Sequence, residues 1–300
     1  MRFNIMQSKN IVRKAIIPVA GFGTRFLPYT KSIPKEMLPI IDKPVVQFVV
    51  EEAISAGIED IILVTGPNKR AIEDYFDYSY ELEKRLIDFG KESLIPDINK
   101  PASLANFIYI RQKGPYGNAI PIKVAKKLVE NEPFLVLWGD EFLLCDGKTR
   151  AQQVVEAYEK LKASVLCAFV SNDPEDTKKY AFVDGYEVEP GVWKVNRLIE
   201  KPGVGNAPTN IAIPSGYVLT PDIFPILDSQ KPGLGGEYYL SEAIDQLAKS
   251  GVPVYAVIVE YKRYFDTGDK LKYMQAVIEM ALHDPNIGEN IREYIKTILK

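Results

Sequence analysis

The sequence predicts an α/β fold with a mixed, mostly parallel central sheet flanked by helices. Two observations carry this reading. Short apolar runs of strand length recur at 15–19, 58–65, 107–111, 134–138 and 164–170, and helical-period stretches fill the gaps between them. Such alternation puts helices on both faces of a parallel sheet, with right-handed crossovers. The second half then changes character, with a strand pair at 181–188 and 192–200 and a helical end.

In order, Ala15 to Val19 reads as a buried strand, followed by Ala20-Gly21-Phe22-Gly23-Thr24-Arg25. Pro44 opens a helix over 45–56, and Gly57 ends it. A strand at 58–65 is broken by Gly66-Pro67-Asn68, and helix follows over 70–80 and 81–91. There Leu82, Leu86 and Phe89 form a stripe expected to pack into the core. Strand 107–111 leads into Gln112 to Ala119, then helix 120–129. Strand 134–138 ends at Gly139-Asp140-Glu141, before helix 149–162 and strand 164–170. After the strand pair come a single strand-like stretch over 209–219, helices 221–228 and 237–249, and a strand at 253–259. A loop, 264–269, precedes helices 270–283 and 289–299. No low-complexity linker or repeat divides the chain, so it reads as one domain, 1–300. Within it lie a first half, 12–170, a second half, 171–268, and C-terminal helices, 269–300.

Ligands of such sheets bind beyond the carboxyl ends of the strands. The glycine loop, the Gln112 loop and Gly139-Asp140 all follow strand ends, so they converge on one edge. Glycines after a strand bring backbone N–H groups close to a ligand. Arg25, Lys31 and Lys35 add positive charge on the same side. Arg grips phosphate oxygens bidentately and Lys acts as a point charge. This is a loop for a polyphosphate. It is not a P-loop, which needs Gly-Lys-Ser/Thr, nor a dinucleotide fingerprint, because Pro28 and Pro34 oppose the helix that would follow.

Composition narrows the classes. The chain of 300 residues carries a net charge of −3, which offers nothing to nucleic acid or an anionic membrane. No apolar run reaches the roughly 18 residues of a membrane span, and residues 1–14 lack an apolar leader core, so a cytoplasmic protein is expected. Cys145 and Cys167 have no metal-ligand spacing and read as buried thiols. His283, the single histidine, is the one residue through which a Ser–His–Asp or Cys–His mechanism could run, and nothing else in the sequence suggests one.

Asp140 and Asp266, each in a loop at a strand end, are candidates for a divalent cation or for ordinary cap and turn roles. Gln112 offers a donor and an acceptor, matching the edge of uracil or thymine. Lys201, in Glu200-Lys201-Pro202, is either an exposed lysine at a strand end or a second phosphate-binding cation.

The stretch from Lys14 to Pro39, with Pro28, Lys31, Pro34, Lys35, Leu38 and Pro39 in register behind Gly-x-Gly-Thr-Arg, resembles the signature of sugar-phosphate nucleotidylyltransferases. Its continuation to Pro44 is similar to the bacterial-type UTP–glucose-1-phosphate uridylyltransferase family. The resemblance runs roughly from Val12 to Leu282 and takes in Gln112 to Ala119, Gly139-Asp140, Glu200-Lys201-Pro202, Thr209-Asn210, Gly216-Tyr217, Gly235-Gly236-Glu237 and Asp266-Thr267-Gly268.

That resemblance implies a Rossmann-like nucleotide-diphospho-sugar transferase fold with a sugar-binding β insertion. It implies nucleotide contacts at Ala20, Gly21, Gln112 and Gly117, within a loop that includes Gly23 and Thr24. Catalytic phosphate contacts fall to Arg25 and Lys35, Mg²⁺ to Asp140 and Asp266, and the glucose phosphate to Lys201. Glu200, Asn210, Gly216 and Glu237 would hold the sugar. The expected substrates are UTP and glucose 1-phosphate, the products UDP-glucose and pyrophosphate, and the assembly a homo-oligomer, dimer or tetramer, without nucleic acid or membrane partners. Three departures stand out: Glu141 where a second Asp is usual, a shorter Gln112 loop, and Asn118 where His is common. The last two fall at the base and ribose contacts and leave dTTP as an alternative nucleotide. A non-catalytic regulatory paralogue is the third reading, although Arg25, Lys35, Asp140, Lys201 and Asp266 are all present.

Overall fold

The computed structural model describes residues 11–299. Residues 1–10, which make up most of the segment read as lacking a leader core, and residue 300 lie outside the described residues. The first half runs β1 (Lys14–Val19), a small hairpin of β2 (Pro39–Ile40) and β3 (Lys43–Pro44), α1 (Val45–Ser55), β4 (Asp60–Thr65) and α2 (Arg70–Tyr75). It continues with α3 (Tyr80–Asp88), α4 (Ile95–Asn99), β5 (Asn106–Arg111), α5 (Ile120–Val129), β6 (Phe134–Val136), β7 (Glu141–Leu144), α6 (Arg150–Leu161) and β8 (Ser164–Val170). The second half contains β9 (Ala181–Glu189), β10 (Val192–Glu200), β11 (Ile211–Ile213), β12 (Tyr217–Leu219), α7 (Ile223–Ser229) and α8 (Leu240–Lys249). Last come β13 (Val254–Ile258), β14 (Arg263–Asp266), α9 (Lys270–His283) and α10 (Gly288–Ile298).

One ten-stranded sheet, in the order β11-β9-β10-β13-β8-β12-β6-β1-β4-β5, crosses both halves of the chain. β6, β1, β4 and β5 are parallel neighbours, as are β13 and β8. β12 runs antiparallel between β6 and β8, so the sheet is mixed as expected. The β9–β10 pair is antiparallel. β11 pairs with β9 and also with β8, which closes β8, β13, β10, β9 and β11 into a small ring beside the open sheet.

The period of two in β1 explains why helices cover both faces. Ile16 enters a core with Ile122 of α5, Leu227 of α7 and Leu247 of α8. Ala15 and Ile17 enter the opposite core with Val49 of α1 and Val154 of α6. The ends of the helices are set locally. Gly57, at φ +84°, closes α1, and Thr149 with Gln152 forms a capping box on α6.

Several expectations are corrected. The stripe of α3 is not core: Leu82 is 43% and Phe89 72% exposed, because α3 leaves the sheet and lies against the 92–99 segment, where Asn99 bonds Glu83 at 2.7 Å. The 70–91 helix is broken between Tyr75 and Tyr80. The 209–219 stretch is two strands, parted at Pro214-Ser215-Gly216, because β11 and β12 pair with opposite ends of β8. Cys145 is only half-buried, whereas Cys167 is fully buried. The largest omission is a second sheet, the antiparallel pair β7–β14, in a region read as loops.

Candidate active site

The glycine loop leaves β1 at the sheet's carboxyl edge. Gly23 sits at φ +65° and caps a 3-10 turn over Thr24–Phe26. Its carbonyl accepts the Thr30 hydroxyl at 2.8 Å, and a Cβ there would come within 3.1 Å of Lys35 and Thr30. Gly23 and Thr24 therefore shape the turn that folds Lys35 back over the loop. They do not line a cleft themselves.

A cleft of about 480 Å³ opens over this edge. It is lined by Ala20, Gly21, Lys35, Gln112, Gly117 and Asp140, so the structure brings together all three segments that follow strand ends. Gly117 is required by close approach: at φ +131°, a Cβ would lie 2.3 Å from the Tyr238 backbone. Tyr238 N–H donates to Tyr116 and its carbonyl accepts from Ala119, which pins the Gln112 loop to the segment before α8. That pinning carries Glu237, which the resemblance implies as a sugar contact, into this cleft. Asn118 is used locally, its side-chain oxygen accepting Leu240 N–H at 2.7 Å.

The β7–β14 ribbon brings the two candidate metal carboxylates together. Asp266 pairs with Glu141, next to Asp140, and Thr267 donates backbone and hydroxyl hydrogens to the Asp140 carbonyl at 3.0 and 2.7 Å. A Cβ on Gly268 would sit 2.9 Å from Asp140 Oδ2 and 3.1 Å from Asp266 Oδ1, so both carboxylates face one small space. Lys35 makes an ion pair with Asp140, and Lys272 approaches Asp266 at 3.9 Å. Burial alone would depress the Lys35 pKa, but Asp140, Glu36 and Asp266 outweigh it and raise it. Asp140 Oδ2 is taken by Lys35 and Asp266 Oδ1 accepts the Gly268 N–H at 3.1 Å, so a hard cation that keeps substrate and water oxygens, as Mg²⁺ does, would fall to the remaining carboxylate oxygens. Among the described residues no larger cluster of metal-ligating side chains occurs.

A second cleft, about 620 Å³, lies on the other side of Asp140 and Trp138, which line both. Arg25, Glu200, Lys201 and Asp266 line it. Arg25 Nη1 lies 3.4 Å from the Gly268 carbonyl. Lys201 adopts φ +43°, a strained position for a side-chain residue of the kind that clusters at functional sites. Its ammonium is 3.0 Å from Glu200 and 5.2 Å over the Tyr239 ring. Asn210 and Gly216 line neither cleft. Asn210 is exposed, and Gly216 is needed because a Cβ would lie 2.7 Å from the Arg150 side chain. The sequence reading missed Lys178, Lys179, Tyr180, Tyr264 and Lys272, which line this cleft.

Two buried charge clusters support the clefts. Glu36 and Lys69 pair at 2.6 Å, almost wholly out of water. Burial drives the Glu36 pKa up and the Lys69 pKa down, each against the attraction of the other. Arg150 is fully buried: it bonds both oxygens of Glu52 at 2.9 Å, Glu141 at 2.9 Å and Ser215 at 2.6 Å. Tyr264 donates to the other Glu141 oxygen at 2.6 Å. Burial lifts the Glu141 pKa to about 7, against the pull of Arg150 and the Tyr264 bond. Glu141, the departure from the family pattern, thus ties the ribbon to α1, α6 and the loop between β11 and β12.

A backbone cradle with one lysine, divided by a pair of carboxylates from a second cleft that is polar and holds Arg25 with further lysines, can hold a polyphosphate against a second anion. The chain belongs to the nucleotidyl transferase family, whose model matches residues 14–282. It is 44% identical over 289 residues to UTP–glucose-1-phosphate uridylyltransferase of Bacillus subtilis, covering 96% of this chain and 97% of that one. UTP–glucose-1-phosphate uridylyltransferase 1 of Staphylococcus saprophyticus is 46% identical over 289 residues, covering 96% and 99%. Among solved structures, a UDP-glucose pyrophosphorylase complexed with UDP-glucose superposes with a TM-score of 0.81 at 37% identity, covering 91% of this chain and 100% of that one. A UTP-bound UGPase from Acinetobacter baumannii does so at 0.86 and 34% identity, covering 95% and 99%. The Rossmann-like fold expected from the resemblance is therefore the fold of these structures.

Proposed function

We propose that the protein is a UTP–glucose-1-phosphate uridylyltransferase. The observation that carries this reading is the meeting of Lys35, Asp140 and Asp266 on the boundary between two clefts. A phosphate oxygen of glucose 1-phosphate attacks the α-phosphorus of UTP. The bond to the bridging oxygen breaks in line, and pyrophosphate leaves. The nucleophile is already an anion, so positioning and charge stabilisation supply the catalysis.

In this reading the cleft over the glycine loop takes UTP, with Ala20, Gly21, Gln112 and Gly117 at the uridine. Lys35 and Arg25 stabilise the triphosphate and the leaving group. The second cleft takes glucose 1-phosphate, with Lys201 on its phosphate and Glu200 on its sugar. Asp140 and Asp266 would hold Mg²⁺, which would neutralise phosphate oxygens when bound. The same reading takes the chain as one domain and the protein as a cytoplasmic homo-oligomer. The exposed apolar stripe of Leu271, Met274 and Ile278 on α9 supports a second copy there.

The test crosses UTP, dTTP, ATP and GTP with glucose 1-phosphate and Mg²⁺ and follows pyrophosphate release. Release with UTP, alone or fastest, is expected. Faster release with dTTP would replace uridine by thymidine, and silence with all four would remove the reading.

A further inference from the structure

Two exposed aromatic side chains stand over the nucleotide cleft. Phe22, 58% exposed, lies between Gly21 and Gly23, and Tyr116, 64% exposed, lies in the Gln112 loop. Both line the cleft. Their ring centroids are 5.9 Å apart with planes tilted by 56°, so two segments distant in sequence touch across its mouth. Single exposed apolar residues are ordinary on a protein surface. A pair that meets over a cleft leaves apolar faces toward whatever fills that cleft.

We infer that Phe22 and Tyr116 form an aromatic roof that packs on the nucleobase of the bound nucleotide. This rests on the nucleotide reading of the cleft and adds two base-contacting residues to it. A base held between two ring faces needs about 7 Å, two carbon contact distances of about 3.5 Å. The centroids are closer than that, so the base lies beneath the pair rather than between its members.

The two rings differ in freedom. Tyr116 is held, because its carbonyl accepts Tyr238 N–H at 3.2 Å and Gly117 beside it is jammed against the same backbone. Phe22 has a glycine on each side, one of them at φ +65°, and is the member that moves as the nucleotide enters. Stacking is blind to the base edge, since every base has a π-face. The roof therefore adds affinity for any nucleobase, excludes water from the edge at Gln112, and leaves discrimination to that glutamine.

The test is calorimetric titration in Mg²⁺ with two probes, UTP and inorganic tripolyphosphate, which carries the phosphates without a base. Wild type, Phe22→Ala, Tyr116→Ala, the double variant and Tyr116→Phe are compared. Each single alanine variant is expected to weaken UTP about tenfold, the size of one lost stacking contact. Tripolyphosphate should stay within about twofold, which also reports an intact loop, and Tyr116→Phe should match wild type. Because the rings share one base, the double variant should lose less than the product of the two singles. UTP affinity unchanged in both alanine variants, or an equal loss for both probes, would overturn the roof. A wild type that binds another nucleoside triphosphate better than UTP would overturn the uridine reading alone. The same variants titrated with that nucleotide and tripolyphosphate would then decide on the roof.

Discussion

Asp140 and Asp266, far apart in the chain, turn their carboxylates into one space that the missing side chain of Gly268 leaves open. A Cβ at position 268 would lie 2.9 Å from Asp140 Oδ2 and 3.1 Å from Asp266 Oδ1. The β7–β14 pairing sets this geometry, and Thr267 locks it through the Asp140 carbonyl. In the proposed reading these carboxylates hold the metal, so Gly268→Ala should weaken metal binding first, with Arg25 Nη1, at 3.7 Å, the next group met. We expect the Mg²⁺ concentration for half-maximal activity to rise at least about tenfold, the scale of disturbing a metal site's support. Mn²⁺ binding measured without substrates should weaken in parallel, while the thermal unfolding midpoint stays close to wild type. Unchanged Mn²⁺ affinity would remove the carboxylate pair from the metal site.

Lys201 provides a test of the second cleft. It stands in a strained backbone position beside Glu200 and over Tyr239, in the cleft that Arg25 also lines. Lys201→Ala should lower kcat/KM for glucose 1-phosphate by about 100-fold, the scale of one lost charged donor to a reacting phosphate. Equilibrium UTP affinity should be retained. Loss of UTP binding with no selective effect on glucose 1-phosphate would reassign Lys201.

Much of the cleft over the glycine loop was legible because it is local. The strand–glycine–basic segment lies within one stretch of sequence, and the alternation of strands and helices says which ends share an edge. The meeting of Asp140 and Asp266 was legible only as two separate loop aspartates. β7 and β14 are four residues each, and their pairing joins segments separated by most of the second half. Nothing in a short run announces a partner that distant. Asn210 and Gly216 belong to the resemblance, yet the residue that explains Gly216 is Arg150, reached only through the fold. Glu237 is carried to the cleft over the glycine loop by the Tyr238 backbone, a contact with no side-chain pattern. The α3 stripe misled because period alone cannot say whether the sheet extends far enough to receive it.

The Glu36–Lys69 pair yields a stability prediction. Both groups are almost wholly buried, and they touch at 2.6 Å beneath the Lys35 turn. Lys69→Met leaves a buried carboxylate uncompensated and should cost about 3 kcal/mol in urea unfolding. Lys69→Met combined with Glu36→Gln should recover part of that loss, because the stranded charge is gone. A double variant no more stable than Lys69→Met would contradict the pairing.

Asp245 gives the pH dependence a sign. Burial would raise its pKa, but bonds from Lys249, Arg197 and the Leu198 N–H outweigh it and hold the carboxyl below its usual value. A group depressed in the folded state adds stability above its unfolded pKa of about 3.9, and that stability is lost as pH falls through the lower folded value. Asp245→Asn should be less stable than wild type at neutral pH. The gap should close as pH drops below about 4. A gap that widens with acid would reverse the assignment.

The most direct measurement uses UTP labelled with ³²P at the α-phosphate, glucose 1-phosphate, Mg²⁺ and the purified chain alone. Uridylyl transfer predicts that the label moves into UDP-glucose in step with release of unlabelled pyrophosphate, and that neither forms with Asp140→Ala. Label that stays in UTP, or leaves as UMP whether or not the sugar phosphate is present, would contradict the account.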